Sequence, residues 1–247
     1  NGEDAGHVRV FDWDGVAWTQ RGLDIDGEAA GDISGNVSIS SQGNTVAISA
    51  FLNDGNGKDA GHVRVFDWDG VAWTQRGLDI DGEAAGDSSG NVSISSQGNT
   101  VAISAVLNDG NGENFGHVRV FDWDGSYWTQ RGLDIDGEAR LVGGTVSISS
   151  DGNTLSIGAA QSFDGSTDVG GSVRVFAWDG KAWRQRGLSI NGPLGLGYSR
   201  SFIVSLSSNG ATIAIGDLSW EQLFNGVHTS DLYVRIFSLD SDLDGIG

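Results

Sequence analysis

The sequence predicts an all-β chain. The expected fold is a β-propeller of four-stranded antiparallel blades, about 55 residues per repeat, with four to five blades and incomplete terminal blades. Three observations predict it. The segment VRVFDWDGVAWTQRG at 8–22 returns letter for letter at 63–77, with close variants at 118–132 and 173–187. His7, His62 and His117 set the period at 55 residues, the scale of a propeller blade. No stretch carries a helical period, and 40 glycines against one proline mark frequent tight turns.

Each element of the unit follows in order. The inner strand is VSIS at 37–40, and Ser41-Gln42-Gly43-Asn44 turns the chain. The second strand is TVAISA at 45–50, and the loop LNDGNGKDAG leads to the third, HVRVFDW at 62–68. Asp69-Gly70 is a hairpin signal, because both residues tolerate the backbone a tight β-turn needs. The outer strand is AWTQRGL at 72–78. Residue size supports a radial arrangement: Ser, Ala, Val and Ile fill the inner strands, while Phe66, Trp68 and Trp73 fill the widening outer wedge. A solenoid needs no such gradient and ranks second.

The order of strands is a two-stranded start, three four-stranded units, and a three-stranded end. The units read as 1–32 (partial), 33–87, 88–141, 142–196 and 197–239 of one domain, with 240–247 as a tail. The chain opens at Asn1 within a repeat and holds no methionine, so a piece of a longer protein is expected. Its incomplete terminal blades are candidates for self-association. A formal net charge of −19 repels phosphate backbones and anionic lipid, which argues against nucleic acid. No apolar run is long enough for a membrane span. The absence of cysteine excludes disulfides and thiolate metal sites.

The diverged copy at 172–192 separates scaffold from the rest. Val173, Arg174, Phe176, Trp178, Gly180, Trp183, Arg186 and Gly187 keep the pattern, whereas histidine becomes Ser172 and two loop aspartates become Ser189 and Asn191. Apolar, aromatic, arginine and turn positions therefore persist, and the residue types of acid–base catalysis drift. Among candidate ligand-binding residues, Trp13, Trp68, Trp123 and Trp178 recur as platforms for sugar stacking or as rim packing. Tyr198, Trp220 and His228 stand in the two segments that break the repeat, 193–201 and 217–231. A metal role for the recurring histidines is weighed against a plain strand-end position, which is preferred.

Candidate metal ligands are the loop oxygens of Asp54, Asn56 and Asp59 and of Asp109 and Asn111, set against turn-forming use of the same residues. Asp240, Asp242 and Asp244 with Gly245 have the alternating spacing of a calcium loop. Calcium is the one cofactor these patterns raise.

The unit GNVSISSQGNTVAISA…NDGNGKDAGHVRVFDWDG resembles FG-GAP-like repeats, the blades of integrin-α-type propellers, over nearly the whole chain. In that family the first turn of the blade carries calcium ligands; here Ser41-Gln42-Gly43-Asn44 is short and lacks carboxylates. The tail SLDSDLDGIG resembles the start of a thrombospondin type 3 calcium repeat. Together the resemblances imply an extracellular, multi-module protein. The function expected is a non-enzymatic binding or adhesion module that recognises glycans or surface proteins, with several weak sites acting together. The alternatives are a purely structural or assembly repeat, and a polysaccharide-acting enzyme with its site in the irregular last blade.

Overall fold

The computed structural model describes residues 2–137, 144–159, 171–191, 200–219 and 234–238. The first sector comprises β1 (His7–Val8), β2 (Phe11–Trp13), β3 (Trp18–Gln20) and β4 (Ile25–Asp26). A full blade follows: β5 (Ser34–Ile39), β6 (Thr45–Ala50), β7 (His62–Trp68), β8 (Trp73–Gln75) and β9 (Ile80–Asp81). The second full blade is β10 (Ser89–Ile94), β11 (Thr100–Ala105), β12 (His117–Trp123), β13 (Trp128–Gln130) and β14 (Ile135–Asp136). The third is β15 (Thr145–Ile148), β16 (Thr154–Ala159), β17 (Ser172–Trp178), β18 (Trp183–Gln185) and β19 (Ile190–Asn191). The last sector holds β20 (Arg200–Leu206), β21 (Thr212–Ser219) and β22 (Val234–Ser238).

Each full blade is an antiparallel meander, β5-β6-β7-β8 in the first, with β9 returning to pair the start of β7. The expected second and third strands form at 45–50 and 62–68. The fourth departs from expectation. It is one outer strand broken into two pieces, because the register slips: Gln75 faces Phe66, but Ile80 faces Val63. Five steps on the outer strand thus match three on β7, and Gly77-Leu78-Asp79 bulges out. Gly77 has φ +76, and a Cβ there would lie 2.7 Å from Trp123 Cζ3 of the next blade. The break is therefore what lets neighbouring blades close up. The preceding hairpin is also longer than a two-residue turn: Trp68 faces Trp73, and Asp69 Oδ1 accepts the N–H groups of Val71 and Ala72, both at 2.8 Å.

The core lies between blades, not within one. Ala47, Val63, Val65 and Ile80 of the first full blade pack on Ile94, Val101, Ile103 and Phe121 of the second. Every residue of β6 is buried, since neighbours cover both faces of the sheet. That explains a continuous TVAISA in place of polar–apolar alternation. Each fully buried Val or Ile contributes about 1.5–3 kcal/mol.

Two rows of serine sew the inner strands together. Ile94 N–H donates to Ser38 Oγ (3.0 Å), Ile148 N–H to Ser93 Oγ (3.0 Å), and Leu206 N–H to Ser147 Oγ (2.9 Å). One turn further, Ser41 N–H donates to the Ser96 carbonyl, Ser96 N–H to Ser150, and Ser150 N–H to Ser208, at 3.1, 3.0 and 2.8 Å.

Candidate functional site

The recurring Trp-x-x-x-x-Trp hairpins build the seams. Trp68 and Trp73 lie 5.4 Å apart, ring centre to ring centre, tilted by 54°. Trp73 Nε1–H donates to the Arg21 carbonyl of the preceding sector at 2.9 Å, and Trp128 and Trp183 repeat the bond to Arg76 and Arg131. Trp68, Trp123 and Trp178 are half-buried against Gly22, Gly77 and Gly132 of the sector before them. Their faces also receive Arg21, Arg76 and Arg131 at 5.9, 5.8 and 4.7 Å. Of the four expected platforms, Trp13 is the exposed one, at 54%. Tyr198, Trp220 and His228 lie outside the described residues, as do Asp240, Asp242 and Asp244.

The side chains of the acidic loops bond mainly to backbone groups. Asp54 Oδ1 accepts Asp59 N–H at 2.8 Å, and Asn56 Nδ2 donates to the carbonyls of Gly82 (2.7 Å) and Glu83 (3.2 Å). Asp59 takes a positive φ of 54°, and its carboxylate sits 3.7 Å from Lys58 Nζ. In the next copy, Asp109 Oδ1 accepts Asn114 N–H at 2.7 Å and Asn111 Nδ2 reaches the Gly137 carbonyl at 3.4 Å. Asn53 Oδ1 also accepts the Gly55 N–H and Asn108 Oδ1 the Gly110 N–H, both at 2.8 Å, which are the bonds of Asx turns; together these contacts fix loop conformation.

A groove of about 720 Å³ runs between the first sector and the first full blade. Leu23, Phe66, Val71 and Trp73 give it apolar walls, and Asp24, Asp26 and Arg64 give it polar ones. Arg64 is fixed there by donating to the Asp26 carbonyl at 2.7 Å. The same residue types recur one period later as Leu78, Asp79, Asp81, Arg119, Phe121 and Trp128.

Beside the groove, the fold joins residues that the sequence reading kept apart. His62 begins β7, Asp79 lies on the bulge of its own blade, and Glu28 comes from the sector before. His62 Nδ1 lies 3.8 Å from Glu28 Oε2 and 3.8 Å from Asp79 Oδ2. Glu83, His117 and Asp134 repeat the arrangement with His117 Nδ1 at 3.8 and 3.9 Å. Burial pushes both imidazoles below their ordinary pKa, against the opposing pull of the nearby carboxylates. Burial also raises the pKa of Asp81. The signal for this trio was present in the chain: Glu, His and Asp recur at identical separations in two repeats.

No family model and no curated protein matches the chain. Solved structures match its fold. TolB from Acinetobacter baumannii shares 12% identity at TM-score 0.53, over 95% of this chain and 47% of its own. A Bacteroides fragilis protein assigned as a 6-phosphogluconolactonase shares 14% at TM-score 0.54, over 95% and 65%. KlAtg21, solved with the coiled coil of AgAtg16, shares 15% at TM-score 0.56, over 96% and 66%. The chain spans about half to two thirds of the length of these structures. It has a β-propeller fold built from four-stranded repeats. Proteins of such different kinds share this fold that the likeness carries architecture alone.

Proposed function

We propose that this chain is a non-enzymatic binding module of a larger extracellular protein, and that it takes glycan or protein partners along its outer rim. The observation that carries the reading is the groove lined by Leu23, Val71, Trp73, Asp24 and Arg64. Its volume falls in the range of ligand sites, and it combines apolar walls with a few fixed polar groups. Four of these five residues recur one period on, as Leu78, Asp79, Arg119 and Trp128, with Ser126 in place of the valine, and such repetition supplies valency: sites weak one by one act together on a repeating partner. The FG-GAP-like pattern of the repeats agrees with this reading, since it implies a surface or secreted setting.

The test is a glycan array probed with the chain and with Leu23→Glu and Val71→Glu, in calcium and in EDTA. Leu23 and Val71 are more than four-fifths exposed, so neither change should disturb folding. Loss of a hit in both variants supports rim binding. A hit that both variants keep overturns it.

One observation favours a second reading, an assembly repeat. Phe11 is 44% exposed where its counterpart Phe66 is 7% exposed, and Val234 and Ile236 are exposed where Val63 and Val65 are buried. The two end faces therefore carry the complementary halves of an internal seam. Concentration-dependent mass in analytical ultracentrifugation, abolished by Phe11→Glu, supports head-to-tail association. A monomer at all concentrations removes it.

A further inference from the structure

We propose that Glu28, His62 and Asp79 form a first-row divalent cation site across one blade seam, and that Glu83, His117 and Asp134 form a second. The inference is independent of rim binding. In each trio the three ligand atoms lie within 4.8 Å of one another. Zinc held at about 2.1 Å sets tetrahedral ligands roughly 3.4 Å apart, so each oxygen closes on Nδ1 from 3.8 Å by a few tenths of an ångström, and the two oxygens, within 4.8 Å of one another, close by at most about 1.4 Å.

The histidines point to a ligand on separate grounds. The side chains of His62 and His117 are 1% and 2% exposed. Their Nε2 atoms are buried without a hydrogen-bond partner. Their Nδ1 atoms face two carboxylates at distances too long for a hydrogen bond. An imidazole enclosed this far normally has a partner. A cation between Nδ1 and the two oxygens gives the ring a partner at Nδ1 and neutralises the paired carboxylates, while Nε2, across the ring, stays in its buried surroundings.

The surroundings orient the ligands. Gln75 Nε2 donates to Asp79 Oδ1 at 2.7 Å, leaving Oδ2 toward His62. Arg64 Nη1 holds Glu28 Oε1 at 3.5 Å, leaving Oε2 toward His62. Gln130 and Arg119 do the same for Asp134 and Glu83. Fixing the second oxygen of each ligating carboxylate is how outer partners set a metal site. The half-exposed carboxylates leave solvent access for the remaining coordination positions. A nitrogen ligand selects zinc, cobalt or nickel over calcium, which takes oxygen.

The other two repeats show what a missing ligand does. In the third full blade histidine and aspartate are replaced together, by Ser172 and Ser189. Around His7, among the described residues, only Asp24 is in ion-pair range, with its carboxylate 3.9 Å from Nε2, and the ring is half exposed. The trio needs a glutamate from one repeat and a His–Asp pair from the next, so it is complete twice among the described residues.

The experiment is calorimetric titration of the tag-free, chelator-treated chain with ZnCl2, repeated with CaCl2. Two zinc ions per chain and no comparable calcium binding are expected. Asp79→Ser should leave one, and Asp79→Ser with Asp134→Ser none; serine already stands at the equivalent position 189, so the variants should fold, and circular dichroism checks this. Zinc should also raise the melting temperature of the parent chain and not that of the double variant. No zinc binding, calcium binding of equal strength, or zinc stoichiometry unchanged in the folded double variant overturns the proposal.

Discussion

Arg76 donates from Nη1 to the carbonyl of Gly98, 2.7 Å away, and so ties the outer strand of one blade to the inner turn of the next. The same guanidinium donates from Nε to Asp67 Oδ2, from Nη1 to Asn99 Oδ1, and lies over the ring of Trp123. Arg21 does the same one repeat earlier, with Asp12, Gly43, Asn44 and Trp68. Arg131 reaches Gly152, Asn153 and Trp178 one repeat later. The persistence of arginine, tryptophan and turn glycine across the repeats has this seam as its physical cause.

Arg76→Ala should therefore destabilise the chain by about 2–4 kcal/mol, since it removes charge-assisted bonds and leaves Asp67 without its ion pair. Arg76→Lys should recover only part, because a lysine has no planar fork to span a carboxylate and a carbonyl together. Urea midpoints of the two variants measure this. Equal midpoints for parent and Arg76→Ala would remove the seam from the account of stability.

Trp13 and Trp68 hold equivalent positions in the repeat but not in the fold. Trp13 has Trp18 beside it at 5.5 Å and is 54% exposed, while Trp68 also packs against Gly22 and Arg21 of the sector before. Trp68→Ala should cost about 3 kcal/mol and Trp13→Ala about 1 kcal/mol or less. Thermal unfolding of the pair measures the difference directly, and equal losses would contradict the seam geometry.

Gly77 and Gly70 both take positive φ, at +76° and +100°. A Cβ on Gly70 meets nothing within 4 Å, whereas one on Gly77 meets Trp123 at 2.7 Å. Gly70→Ala should cost only backbone strain, about 1–2 kcal/mol. Gly77→Ala should cost about 2–4 kcal/mol, because it adds a clash across the seam. Tryptophan fluorescence should change in the second variant and not in the first.

Asp179 gives a pH dependence with a definite sign. Arg184 Nε donates to it at 2.9 Å, and the N–H groups of Ala182 and Lys181 donate at 2.7 and 2.8 Å. The arginine bond first, then the two backbone bonds, hold its pKa down at about 2. A pKa lowered by folding stabilises the hairpin above the ordinary carboxylate value of about 3.9. That contribution is lost as pH falls through about 2. Arg184→Ala should raise the carboxyl midpoint toward the ordinary value, as read by carbon-detected NMR titration. An unmoved midpoint would show that the backbone bonds alone set it.

The repeat period and the strands at 45–50 and 62–68 were legible in the chain, because buried β-strands and turns leave local signatures in hydrophobic runs and glycine. The split of the outer strand was not. A bulge at Gly77 is favourable only when Trp123 of another repeat presses there, and that contact lies outside any local window. The tryptophans could be counted from sequence, but whether each lies open or against a seam depends on a neighbouring blade, as Trp13 and Trp68 show. That Asp54 and Asp109 accept the N–H groups of Asp59 and Asn114, beside Asx turns at Asn53 and Asn108, likewise needed coordinates, because Asn and Asp oxygens suit a cation and a backbone N–H equally well. The sequence by itself determined the period, the strand grammar and the alternation of small inner and large outer residues. The tertiary structure alone decided that Glu28 of one repeat meets His62 and Asp79 of the next, since a site across a seam is made by packing separate repeats and no single repeat encodes it.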